Sequence, residues 1–146
     1  MISVDTNILL YAYNQDCQEH RPAFDFLTAC SERDDVALCE LVLVELYILL
    51  RNPTVIAEPL SAEQAADACG TYRRHPRWRL LENAPVMDRV WTMAGQPGFA
   101  RRRIFDARIA LTLIHHGVTE FATANIKHFA DLGFSRVWNP LTQPLQ

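Results

Sequence analysis

Asp5, Glu45 and Asp106 are three carboxylates whose neighbours argue against a plain solvated role. Asp5 ends the short apolar run Met1-Ile2-Ser3-Val4 and is followed by Thr6-Asn7 and a helix-like stretch. That order reads as a first strand delivering a carboxylate to its C-terminal tip, where open α/β sheets bind ligands. An Asp ahead of a helix also serves as an ordinary N-cap. Here Thr6 and Asn7 follow it, and both side chains can orient a carboxylate or hold metal-bound water. Glu45 lies in the otherwise apolar run 41–50. An ionised carboxylate there is costly unless it is paired or ligated. Ile48 and Leu49 occupy the i+3 and i+4 positions, and Arg51 falls on roughly the opposite side of a helix. A distant arginine or a metal ion remains as its partner. Asp106 sits near the start of a helix-like stretch, where the dipole alone favours an acid and Arg102, Arg103 and Arg108 are further partners. Asn125 follows strand-like Phe121-Ala122-Thr123 and precedes another helix start. It reads either as a cap or as an amide oxygen for a cation. All four residues stand where chain elements begin or end. Oxygen donors of this kind suit a hard divalent ion such as Mg²⁺.

The elements that must position them alternate between strand and helix, which gives α/β class with a mostly parallel sheet. Strands are expected at Ile2–Asp5, Val36–Cys39, Trp78–Glu82, Glu120–Thr123 and Arg136–Trp138. Helices are expected over Asn7–Tyr13, Pro22–Glu32, Leu41–Arg51, from Ser61 to about Arg74, Pro85–Ala94, and from about Arg103 to His116. Ser61 supplies a hydroxyl cap ahead of the fourth of these. Pro85 is expected inside the first turn of the fifth. Helix 41–51 is apolar nearly all round, which predicts burial on every side. The 146 residues suit one domain, 1–146, with one core.

Composition narrows the function classes. No stretch near transmembrane length is free of charge, and the N-terminus carries no basic region followed by a long apolar core. Cys17, Cys30, Cys39 and Cys69 form no CxxC pair, which argues against a zinc knuckle and for reduced, mostly buried thiols in a cytoplasmic protein. Net charge is −3 but unevenly spread: residues 1–72 hold twelve acids and three arginines, residues 73–146 five acids, ten arginines and one lysine. A basic half hints at a polyanion partner; a solvated face with ordinary ion pairs explains it equally.

The ordered motifs resemble the PIN-domain nucleases, in particular the VapC-like toxins of bacterial toxin–antitoxin pairs. The resemblance rests on Ile2-Ser3-Val4-Asp5-Thr6-Asn7-Ile8-Leu9, on Val42-Leu43-Val44-Glu45-Leu46 with Leu50-Arg51-Asn52-Pro53, on Ile104-Phe105-Asp106-Ala107-Arg108-Ile109-Ala110, and on Ala122-Thr123-Ala124-Asn125-Ile126-Lys127-His128-Phe129 with Val137-Trp138-Asn139-Pro140. It implies a three-layer α/β/α sandwich and Mg²⁺- or Mn²⁺-dependent cleavage of RNA. It implies Asp5, Glu45 and Asp106 as metal-binding catalytic acids, with neutralisation by a small antitoxin and a homodimeric state. Asn125 stands where many relatives carry a fourth acid, which bears on a second metal ion more than on the first. Arg101, Arg102 and Arg103, just ahead of Asp106, are then the best-placed groups to hold RNA. His20, His75 and His128 read as surface or turn residues, and Asp131 as a surface acid.

Two other readings stay open. A phosphatase with Asp5 as nucleophile usually needs a second acid two residues on, and Asn7 stands there. A catalytically silent RNA- or protein-binding module would keep the fold and lose the cutting, and Asn125 is the residue that favours it.

Overall fold

The computed structural model describes residues 1–145. Five short strands form the sheet: β1 (Ile2–Val4), β2 (Val36–Cys39), β3 (Arg79–Leu81), β4 (Glu120–Ala122) and β5 (Arg136–Trp138). Seven helices connect them: α1 (Thr6–Tyr13), α2 (His20–Ser31), α3 (Glu40–Leu50), α4 (Ala62–Arg73), α5 (Met87–Ala94), α6 (Arg103–His115) and α7 (Ile126–Phe129). The strands lie in the order β3-β2-β1-β4-β5, and every pairing is parallel. The expected mostly parallel sheet is therefore parallel throughout.

From β1 the chain steps outward to β2 and β3, then returns past β1 to β4 and β5. Right-handed crossovers put helices of the outward leg on one face and those of the return leg on the other. The packing follows suit: α1 meets α2 and α3, and α3 meets α4, while α6 meets α5 and α7. The strand order reverses between β1 and β4, which opens a crevice at their C-terminal ends.

β1 and β2 are buried along their whole length, as a covered parallel sheet requires. Val4, Ile8, Leu9, Leu38, Leu46 and Phe121 are among the side chains that fill the core. A smaller cluster of Val86, Val90 and Leu111 seats α5 on α6. α4 begins with a full capping box, in which Gln64 N–H donates to Ser61 Oγ and Ser61 N–H to Gln64 Oε1. No helix among the described residues is long and apolar enough to cross a membrane.

Two expectations are corrected. Pro85 stands outside α5, which starts at Met87; Val86 N–H bends back to the Ala84 carbonyl at 2.8 Å instead of starting a helical turn. Helix α3 is buried on one side only: Val42, Leu43, Leu46 and Leu50 face the core, whereas Val44 is 55% and Ile48 58% exposed. Its second apolar side flanks a groove of about 330 Å³ that Phe105, Arg108 and Ile109 of α6 complete.

Candidate active site

Asp5, Glu45, Asp106 and Asn125 line one cleft of about 210 Å³, together with Thr6, Asn7 and Tyr11. They come from four separated segments. Asp5 leaves the tip of β1, Asp106 stands in the first turn of α6, and Asn125 follows β4 just ahead of α7, but Glu45 departs from the expected placement at an element end and lies in the middle of α3. The cleft therefore sits at the β1/β4 switch point that the sheet order creates.

Asp5 is 6% exposed and both its oxygens accept hydrogen bonds. Thr6 N–H donates to Oδ1 at 2.8 Å and the Thr123 hydroxyl donates to Oδ2 at 2.6 Å. Asp5 is thus an N-cap of α1 as well as a cleft residue. Thr123 is itself oriented, because its oxygen accepts from Asn125 N–H at 2.9 Å. That leaves its proton for Asp5. Among the described residues Glu45 meets no guanidinium. Its Oε2 accepts from the Thr6 hydroxyl at 2.9 Å. Thr6 therefore ties the two carboxylates together, one through its main chain and one through its side chain. Asp106 Oδ2 lies 3.5 Å from His128 Nδ1. Asn125 makes no side-chain cap bond to α7, so its amide is free for the cleft.

Burial pushes the Asp5 carboxyl up to about 6, against the lowering pull of the Thr123 and Thr6 bonds, with Glu45 and Asp106 adding repulsion. Burial also raises Glu45 and Asp106; Thr6 opposes the first shift, His128 and Arg103 the second. Three acids that each resist ionising, and that repel one another, form a site that gains from a cation.

Among the described residues no three His, Cys, Asp or Glu side chains come together closely enough to hold a metal ion between them. The donor set still fits a hard divalent ion. It offers carboxylate and amide oxygens with no sulfur, and Mg²⁺ commonly keeps several waters and takes only one or two carboxylates directly. Asp5, Glu45 and Asp106 are the residues that would hold it, with the Asn125 amide beside them.

The basic groups divide sharply. Arg73 pairs with Glu40 at 2.6 Å and Arg77 with Asp34 at 3.0 Å, so part of the arginine-rich half folds onto the acidic half. Arg101 and Arg102 are exposed and form no ion pair among the described residues. Arg103 differs: it is bonded to Asp131 at 2.6 Å and its side chain is only 24% exposed. Asp131 is accordingly a surface acid with a structural partner. All four cysteines are free, and three of them are buried.

Sequence reasoning missed Thr123 and His128 as partners of the cleft acids Asp5 and Asp106. Thr123 carried one usable signal, a hydroxyl at a strand end facing a strand-end acid. His128 carried none, because its approach to Asp106 depends on how α7 folds.

Residues 2–135 match the PIN domain family. The chain is 65% identical to Ribonuclease VapC24 of Mycobacterium tuberculosis over 142 residues, covering 97% of this chain and 98% of that protein. Its fold is similar to that of M. tuberculosis VapC20, described as a sarcin–ricin loop cleaving toxin. The TM-score is 0.69 at 17% identity, with 89% of this chain and 94% of that one covered. It is also similar to VapBC2 from Rickettsia felis, bound to a DNA fragment from its promoter. There the TM-score is 0.62 at 20% identity, with 95% and 98% covered. The five-stranded parallel sheet, the acid-lined cleft at its switch point and these matches across nearly the whole length make this chain a member of the PIN-domain family.

Proposed function

We propose that this protein is a divalent-metal-dependent endoribonuclease and the toxin of a toxin–antitoxin pair. The observation that carries this reading is the meeting of Asp5, Glu45, Asp106 and Asn125 in one cleft. The 65% identity to a ribonuclease supports RNA as the substrate. In this reading water attacks the phosphorus of a phosphodiester, and the bond from phosphorus to the leaving sugar oxygen breaks. A bound Mg²⁺ or Mn²⁺ supplies positive charge against the phosphate and lowers the pKa of a water. Thr6 and Thr123 hold Glu45 and Asp5 in place before RNA arrives, so little reorganisation is needed. Arg101 and Arg102 offset the acidity of the cleft and draw the RNA backbone towards it. No serine or cysteine nucleophile is involved.

A small cognate antitoxin follows from the toxin role. An apolar groove of about 410 Å³, lined by Leu9, Tyr13, Phe24, Leu27, Tyr72 and Trp78, would receive apolar side chains from one face of an antitoxin helix. A homodimer and a cytoplasmic location belong to the same reading. Exposed Val44, Ile48 and Phe105 support the first, and the free cysteines support the second.

Induced expression tests the proposal. Growth should arrest, new RNA ends should map to discrete sites, and Asp5→Ala should abolish both effects. Arrest without new RNA ends would contradict it. Purified protein that holds RNA but leaves it intact in Mg²⁺ or Mn²⁺ would favour the silent binding module.

A further inference from the structure

Helix α7 spans only Ile126–Phe129, a single turn. One turn is not stable by itself, so its position must come from tertiary contacts. On the inside, Phe129 is buried against Phe121, with ring centroids 4.6 Å apart. On the outside the anchor is Arg103. Its Nη2 donates to the His128 carbonyl at 3.0 Å and to Asp131 Oδ1 at 2.6 Å. Its guanidinium lies 5.8 Å from the Phe99 ring centroid. The buried Nε finds no hydrogen-bond partner among the described residues, so the group is held from the other atoms. A cation at this point also satisfies a carbonyl at the C-terminal end of α7.

Arg103 and Asp106 lie one turn apart on α6 and approach the same residue. Arg103 takes the main-chain carbonyl of His128, and Asp106 faces its imidazole at 3.5 Å. A closed loop of interactions results, running from α6 to α7 and back. Asn125, at the other end of α7, faces the cleft.

We propose that Arg103 is a positioning residue of the cleft: by gripping His128 and Asp131 it fixes α7, and with it Asn125 and the approach of His128 to Asp106. This rests on the nuclease reading for its kinetic consequences and on the fold alone for its structural ones. It separates Arg103 from Arg101 and Arg102, to which the nuclease reading gives the RNA backbone.

The experiment compares Arg103→Ala, Arg103→Lys and Asp131→Ala with the parent chain, each purified at full length. A fluorogenic single-stranded RNA in Mn²⁺ reports kcat, KM and the salt dependence of kcat/KM. Hydrogen exchange without metal reports the amides of residues 125–131. In Arg103→Ala, kcat should fall by about tenfold or more, because small misplacements in a preorganised site are costly. KM and the salt slope should stay within about twofold of the parent, since Arg103 neutralises no phosphate. Arg103→Lys should recover part of kcat. Exchange at 125–131 should quicken while α6 beyond its first turn stays protected. Asp131→Ala keeps Arg103 and removes one grip, so it should show a weaker form of the same pattern even if Arg103→Ala folds poorly. A raised KM and flattened salt slope at unchanged kcat would make Arg103 an RNA-binding group and overturn the proposal. Unchanged exchange at 125–131 in both Arg103→Ala and Asp131→Ala would overturn it too. A parent chain that cleaves no RNA would remove the nuclease reading, and the exchange result would still decide the role of Arg103.

Discussion

The Thr123 hydroxyl donates to Asp5 Oδ2 at 2.6 Å, joining the ends of two adjacent strands that are 118 residues apart in the chain. It is the strongest of the influences that hold the Asp5 carboxyl down against burial. Thr123→Val should leave that buried oxygen without a donor. The loss should cost about 1–3 kcal/mol of stability at pH 8, where Asp5 is ionised. The pH at which activity appears should move upward. Thr123→Ser should keep both properties. Urea unfolding at pH 8 and a pH–rate profile check this; unchanged values for Thr123→Val would contradict it.

The raised Asp5 value fixes a pH dependence. Asp5 ionises near its ordinary value of 3.8 in the unfolded chain and at about 6 in the fold. Between these the folded state binds more protons than the unfolded state, so stability falls as pH rises through that window. The loss is on the order of 3 kcal/mol for this group alone. Glu45 and Asp106 shift in the same direction. A divalent cation binds the ionised carboxylates, so its stabilising effect should grow as pH rises. Thermal melts with and without Mn²⁺ should show a small difference at pH 5 and a large one at pH 8. A metal effect independent of pH would contradict this.

Glu45→Gln keeps an oxygen for the Thr6 hydroxyl and removes the charge. Without metal it should be more stable than the parent at pH 8, because a half-buried acid no longer has to ionise beside two others. Activity should fall by about 100-fold or more, as expected when a charged group that stabilises the transition state is removed. Calorimetry and single-turnover cleavage measure the two effects. A variant both less stable and fully active would contradict the assignment.

Arg101→Ser and Arg102→Ser should weaken RNA binding and lower the salt slope by about 0.7 for each phosphate of a single strand that is no longer neutralised. Fluorescence anisotropy across a salt series with a labelled RNA measures this. An unchanged slope in the double variant would remove both residues from the RNA path.

Much of the architecture was legible because parallel strands in a covered sheet are short apolar runs. Val36–Cys39 and Arg136–Trp138 match their strands end to end. Asp5 was legible because it stands at a strand tip with two further polar residues after it, although it also serves α1 as its N-cap. Glu45 was legible because its helix offers it no partner, and its actual partner is the Thr6 hydroxyl. The exposed side of α3 was not legible, since Val44 and Ile48 look the same in sequence whether they face a core or open surface. Arg101, Arg102 and Arg103 are likewise identical as letters. Only the placement of α7 commits the third of them to Asp131. The charge asymmetry between the two halves overstated the free basic surface, because Arg73 and Arg77 turn back to Glu40 and Asp34.

Cleavage of single-stranded RNA by the purified chain and by Asp5→Ala, each titrated with Mn²⁺ and then with a chelator, probes the shared carboxylate site most directly. The parent should cut only with metal present, and the chelator should stop it. Asp5→Ala should keep the circular dichroism of the parent and cut nothing at any metal concentration. Metal-dependent cutting at the parental rate by Asp5→Ala would contradict a site built on that carboxylate.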